Sequence, residues 1–150
     1  MFDDERKDEE MPFEAVRIGV VSSVDRINLT AKVYFPDRDD TVSFDLKIIP
    51  KQSMKTKFYW FPDVDESVIC LFLANGQETG FIIGSFYSEV DTVDEEFLTS
   101  EDVDGVKFSD GSFIKYDSIN HKYIIDIQGS IEIRATEDIT IKSNNKIYLN

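Results

Sequence analysis

The chain has 150 residues, 41% of them hydrophobic and 31% charged, with a formal net charge of −14, which leaves room for one modest domain and an appendage. Acidity on this scale argues against nucleic-acid binding and against adhesion to anionic membranes, since both need cations. The lone cysteine, Cys70, excludes an intrachain disulfide, and no stretch approaches the length of a membrane span.

The charge is unevenly placed. Residues 1–104 hold 10 Lys/Arg against 24 Asp/Glu, whereas residues 105–150 hold 6 of each. The acidic start, MFDDERKDEE, is the opposite of a secretory n-region. Residues 1–13 are expected to form an acidic arm, a tail or a docking segment.

Residues 14–88 read as five strands: AVRIGVVSSVD, LTAKVYFP, TVSFDLKIIP, SVICLFLAN and GFIIGSFYS. Pro36-Asp37, Asn75-Gly76 and Thr79-Gly80 supply turn chemistry between them. Five strands without a strong amphipathic helix suit a small closed barrel of the OB type. An immunoglobulin-like sandwich would need two more strands. Cys70 lies in the apolar run VICLFL and is expected in the core.

Between the third and fourth strands lies KQSMKTKFYWFP. Lys51, Lys55 and Lys57 make a basic stretch in an acidic domain, next to Phe58, Tyr59, Trp60 and Phe61. Lys51, Lys55, Lys57 and Trp60 are candidates for a contact surface with an aromatic anchor and a charged rim. The structural alternative is that Trp60 and Phe61 close one end of the barrel while the lysines are solvated, and the two roles are compatible.

Residues 89–104, with eight acids and no base, read as a solvated linker. In FSDGSFIKYD, Asp110-Gly111 sits between two short strands as a hairpin signal. Residues 105–150 then enter an eight-residue repeat that begins near Lys122. Tyr123 and Ile125 are followed in register by Ile131 and Ile133, Ile139 and Ile141, and Ile147 and Leu149. Period-2 alternation with polar residues between gives each unit one apolar face. The fixed spacing reads as an array of strands that cannot bury their faces singly.

Two-residue hairpins would alternate the inward set between even and odd positions, yet every inward position here is odd. Three-residue loops would preserve the parity, so a β-meander stays open. Eight apolar side chains cannot offset the entropy of ordering such a segment alone. Several copies wound about one axis would bury the isoleucines and pair every strand edge. A homotrimer is the simplest closed arrangement. The expected fold is therefore all-β: an N-terminal five-stranded OB barrel followed by an intertwined trimeric β-helix shaft. Because Ile147 and Leu149 carry the register to within one residue of the end of the sequence, a separate tip-capping protein is expected to contact Ile147, Leu149 and Asn150.

No chemistry-bearing constellation emerges. His121, the lone histidine, sits in a turn-like context, and no His/Cys cluster has metal spacing. Nucleophile elbow, phosphate loop and dinucleotide fingerprint are all missing from the sequence. The expectation is a non-enzyme without cofactor or metal.

Taken together, these segments resemble the baseplate assembly protein V family, the central spikes of contractile phage tails and related bacteriocin particles. RIGVVSSVD (17–25) and VYFPDRD (33–39) look like its opening strands, and YWFPDVDESV (59–68) is similar to its W-x-P-x-x-G-E-x-V segment. LFLANGQETGFIIGSFYS (71–88) looks like the strands that close the OB fold, and FSDGSFIKYD (108–117) and the octads resemble the shaft. Asp65 stands where the family often has glycine. The resemblance implies a homotrimer made in the bacterial cytoplasm and built into the baseplate of a virion or phage-tail-like particle. Its OB domains would sit on the tail hub and its needle would point at the target cell envelope. Many family members end in a histidine-x-histidine pair that binds iron, and no residue here matches it. A stalked OB module recognising an oligosaccharide or peptide is the alternative.

Overall fold

The computed structural model describes residues 14–75, 77–89 and 91–148. The acidic arm (1–13), Gly76 of the Asn75-Gly76 turn, Val90, and Leu149 and Asn150 of the expected tip contact lie outside the described residues. The chain is all-β and divides into two units, Met1–Thr92 and Val93–Asn150.

In the first unit, the alternating runs form β1 (Val16–Asp25), β2 (Thr30–Phe35), β3 (Thr41–Val42), β4 (Leu46–Ile48), β5 (Ser67–Phe72) and β6 (Gly80–Ser85). Pairing runs β1–β2–β4–β6–β5 and back to β1, so five strands close a mixed, OB-like barrel. All pairings are antiparallel except β4 with β6. The run expected as one third strand is split. Ser43 breaks it by engaging Val33 twice, its N–H donating to the Val33 carbonyl at 2.8 Å and its hydroxyl accepting from the Val33 N–H at 2.9 Å. That leaves β3 as a short strand on β2, outside the barrel circuit.

One side of each strand fills the barrel. Val21, Ala31, Val33, Phe35, Leu46, Ile48, Val68, Cys70, Phe72 and Ile82 are buried. Phe35 and Phe72 meet edge to face with centroids 5.9 Å apart, and two glycines make room for them. A Cβ on Gly19 would lie 2.9 Å from Phe35 Cδ1 and 2.5 Å from Val33 Cγ1; one on Gly80 would lie 2.8 Å from Phe72 Cδ1. Gly80 is therefore a strand residue chosen for space, and the turn read at Thr79-Gly80 ends one residue earlier. The Arg17 guanidinium lies 4.0 Å from the Phe72 ring centroid, covering this aromatic pair.

The second unit is an antiparallel meander of β7 (Val103–Lys107), β8 (Phe113–Asp117) and β9 (Lys122–Asp126). The Asp110-Gly111 hairpin forms as read. Gly111 adopts a φ of 89°, its N–H donates to the Phe108 carbonyl at 3.0 Å, and Asp110 Oδ1 accepts from the Ser112 N–H at 2.9 Å. The first octad, Tyr123 and Ile125, lies on β9. Among the described residues after Asp126, none belongs to a strand in this single chain.

The acidic stretch is not wholly a solvated link. Residues 94–100, including a 3-10 turn at Glu95–Phe97, lie against one face of the meander. Phe97 stacks edge-on to Phe113 at 6.2 Å and occupies the space a side chain at Gly105 would need. Lys115 is buried and donates to the Glu96 carbonyl and to Thr99 Oγ1, while Lys107 pairs with Asp94 at 2.8 Å. One aromatic among the acids, met by two lysines, is enough to dock a segment whose composition alone signals solvation.

Candidate functional site: two interaction surfaces

The first surface lies at one mouth of the barrel, where residues 49–62 leave β4 and return toward β5. Ile49 donates its N–H to the Ile82 carbonyl at 3.0 Å, anchoring the departure. Within the loop, Phe58 N–H donates to the Gln52 carbonyl at 3.0 Å and Ser53 bridges Lys57. Trp60 and Phe61 turn back and pack on the core. The Trp60 indole N–H donates to the Ile49 carbonyl at 2.9 Å, so its one polar atom is used internally. The end-closing role expected of Trp60 and Phe61 holds.

Above them is a cavity of about 360 Å³ lined by Asn28, Leu29, Ile48, Pro50, Phe58 and Tyr59, with Lys47 and Lys57 among the remaining lining residues. Tyr59 is 70% exposed and Met54 81%. Lys51 Nζ stands 5.5 Å from the Phe58 ring centroid, and Arg26 lies 4.7 Å from that of Phe61. Of the four residues singled out from the sequence, Lys57 and Trp60 line the cavity directly and Lys51 reaches it through Phe58, while Lys55 is exposed and does not line it. Lys47, Asn28 and Leu29 were not foreseen. They arrive because β4 pairs with β2, and Leu29 accepts a hydrogen bond from Ile48 N–H at 3.3 Å.

The β1–β2 turn that supplies Asn28 and Leu29 is held by one carboxylate. Asp25 accepts from the Ile27 and Asn28 N–H groups at 2.9 and 3.0 Å and from Asn28 Nδ2 at 2.7 Å. The Asn28 bonds hold the Asp25 carboxyl below the usual carboxylate range. Leu29 then takes a φ of 57°.

The second surface is the face of the meander opposite residues 94–100. Val106, Ile114 and Ile125 line up across the three strands, as do Asp104, Tyr116 and Tyr123. Tyr123 and Ile125 are 63% and 51% exposed, and a shallow cavity of about 290 Å³ runs between Val106, Ile114, Tyr116 and Tyr123. The Tyr116 and Tyr123 rings lie 6.4 Å apart. In the single chain Ile131, Ile133, Ile139, Ile141 and Ile147 are likewise more than half exposed. The β8–β9 turn below this face is fixed by Asp117. Its carboxylate accepts from Asn120 Nδ2 and N–H, both at 2.9 Å, and from Ser100 Oγ at 2.8 Å. These bonds, led by the Asn120 side chain, hold the Asp117 carboxyl at about 2.

Burial pushes the Cys70 thiol up to about 12, leaving it no nucleophile at neutral pH. His121 is exposed at a turn with a φ of 52°. Among the described residues no cluster of His, Cys, Asp or Glu could hold a metal ion. No family model matches the chain, and no curated protein matches it at a significant level.

Proposed function

We propose that the chain is the central spike of a contractile tail baseplate, a homotrimer that plugs the tail tube at the hub and is driven into the target envelope when the sheath contracts. The observation that carries this reading is the uncovered apolar face of the second unit. The meander buries one side under its own chain and leaves Val106, Tyr116, Tyr123 and Ile125 facing water. The odd-numbered register of Tyr123 and Ile125 then continues in the sequence through Ile131, Ile133, Ile139, Ile141 and Ile147. A contiguous apolar face of this kind calls for a partner. Three copies sharing one axis would bury it, with Leu149 extending the same register.

An OB-like barrel ahead of this segment supports the same assignment, in the order that the motif resemblance implies. The barrel-mouth surface of Lys51, Lys57 and Trp60, with Lys55 on the same loop, is then the part that seats on hub or baseplate proteins. The role is mechanical and not enzymatic. In an intertwined shaft no chain peels off without breaking bonds to two others, so unfolding is concerted and slow.

Labelling of tail particles with an antibody against the chain tests the assignment. Label confined to the baseplate end is the expected result, and label on particles lacking a contractile tail, or on none, contradicts it. The stalked OB binding module is the second reading, favoured by the cavity at the barrel mouth. A monomer that binds a glycan or peptide there would replace the first reading with it.

A further inference from the structure

We infer that the barrel-mouth cavity receives an acidic, extended peptide segment of a partner protein, placing one aromatic or aliphatic side chain against Trp60. This rests on reading the 49–62 loop as a contact surface and names the chemistry of what it contacts.

Charge points to the partner. From Asp45 to Asp63 the chain carries Lys47, Lys51, Lys55 and Lys57 and no acid between. Setting these four aside leaves the rest of the chain at −18, against −14 for the whole. Among the described residues the ion pairs use Arg38, Lys107 and Arg134, and none uses these lysines. The rim is thus a local cationic field on an anion, able to steer and orient an acidic segment.

Shape and chemistry point to a side chain. The floor is apolar, built from Leu29, Ile48, Pro50, Phe58 and Trp60, and its volume of about 360 Å³ suits one or two side chains. Trp60 offers only its ring, since its N–H is already bonded to Ile49. Ligand orientation therefore falls to the lysines, as in interfaces with an aromatic anchor inside a charged rim. A polynucleotide also offers anions and rings, but it would bring a long polyanion against a strongly acidic chain, so a short acidic peptide fits better.

The chain's own acidic arm is a poorer occupant. It joins β1 at Val16, whereas the cavity borders the turn after Asp25, at the far end of that strand. Ten residues of strand separate the two, roughly 33 Å of extended chain.

Trp60 is the chain's one tryptophan, so its fluorescence reports on this cavity alone. The full chain is titrated with a blocked peptide of alternating aspartate and glutamate around a central phenylalanine. A lysine peptide with the same phenylalanine and an oligothymidylate serve as competitors. The expected result is a saturable change with the acidic peptide only, weakening roughly tenfold in Lys51→Glu with Lys57→Glu and falling with added salt. No saturable change, equal response to the lysine peptide, tighter binding of the oligothymidylate, or unaltered affinity in the doubly substituted chain would each overturn it. Retained resistance of Cys70 to alkylation shows that the variant is folded. Sedimentation of the same samples separates the two readings: a trimer that ignores the peptide sinks this inference alone, and a monomer that binds it sinks the spike alone.

Discussion

Asp25 and Asp117, in different units, hold their hairpin loops with the same set of hydrogen bonds. Each closes a four-residue loop of the form Asp-x-Ile-Asn-x, accepting from the N–H groups two and three residues on and from the Asn side chain. Each loop ends on a left-handed residue, Leu29 at 57° and His121 at 52°. The shared loop presents an exposed isoleucine, Ile27 in one unit and Ile119 in the other.

A pH dependence follows. Both carboxyls titrate below the ordinary 3.8, Asp117 at about 2. A depressed carboxylate stabilises the fold above its unfolded value, and that contribution is lost as pH falls through the folded one. Circular dichroism should therefore be flat from neutral pH to about 4 and show the fold weakening from there toward pH 2. Asp117→Ala should lower stability at neutral pH and remove part of that acid sensitivity. An acid transition identical to wild type in Asp117→Ala would place the sensitivity elsewhere.

Asp65 has a φ of 71°, a conformation suited to glycine. Its N–H donates to the Val21 carbonyl at 2.8 Å and the following Glu66 N–H to the Asp63 carbonyl at 3.2 Å, so the turn cannot relax cheaply. Asp65→Gly should be neutral or stabilise by up to about 1 kcal/mol, and Asp65→Val should cost about 1–2 kcal/mol. Urea denaturation reads both.

Gly19→Ala should be far more costly. The added methyl would press on Val33 Cγ1 at 2.5 Å and on the Tyr34 carbonyl at 2.6 Å, within a closed barrel. A loss of about 3 kcal/mol or more is expected. The same melt should release Cys70 to alkylation, since the thiol is buried and held near 12 in the folded barrel. A variant that keeps Cys70 protected to the wild-type urea midpoint would show that the barrel absorbs the methyl.

Much of the barrel was legible because its strands carry strict alternation: β1, β2, β5 and β6 match the runs read for them. The break at Ser43 was not, because it depends on Ser43 bonding to Val33 across the sheet and on no local signal. The purpose of Gly80 was hidden for a similar reason, since only the Phe72 ring it faces makes a glycine necessary. At the barrel mouth, Trp60 and Lys57 could be read from one segment, whereas Lys47, Asn28 and Leu29 come from elements that only strand pairing brings there. The Asp-x-Ile-Asn repeat was visible in DRINL and DSINH and would have located both turns. Phe97 alone among eight acids was the signal that residues 94–100 dock.

Ile133→Asp and Ile141→Asp test the odd register. Each substitution would set three carboxylates on a shared axis, at several kcal/mol per buried charge. Both variants should lose the oligomer while the barrel remains folded by Trp60 fluorescence and Cys70 protection. Normal assembly in both would mean that these side chains face solvent.

The mass of the full chain in solution bears most directly on the account. Sedimentation equilibrium at neutral pH should give three times 17.3 kDa, about 52 kDa, with no dependence on concentration in the micromolar range. A stable species of 17.3 kDa would contradict it, leaving the apolar face of Tyr123 and Ile125 without the partner copies on which the spike depends.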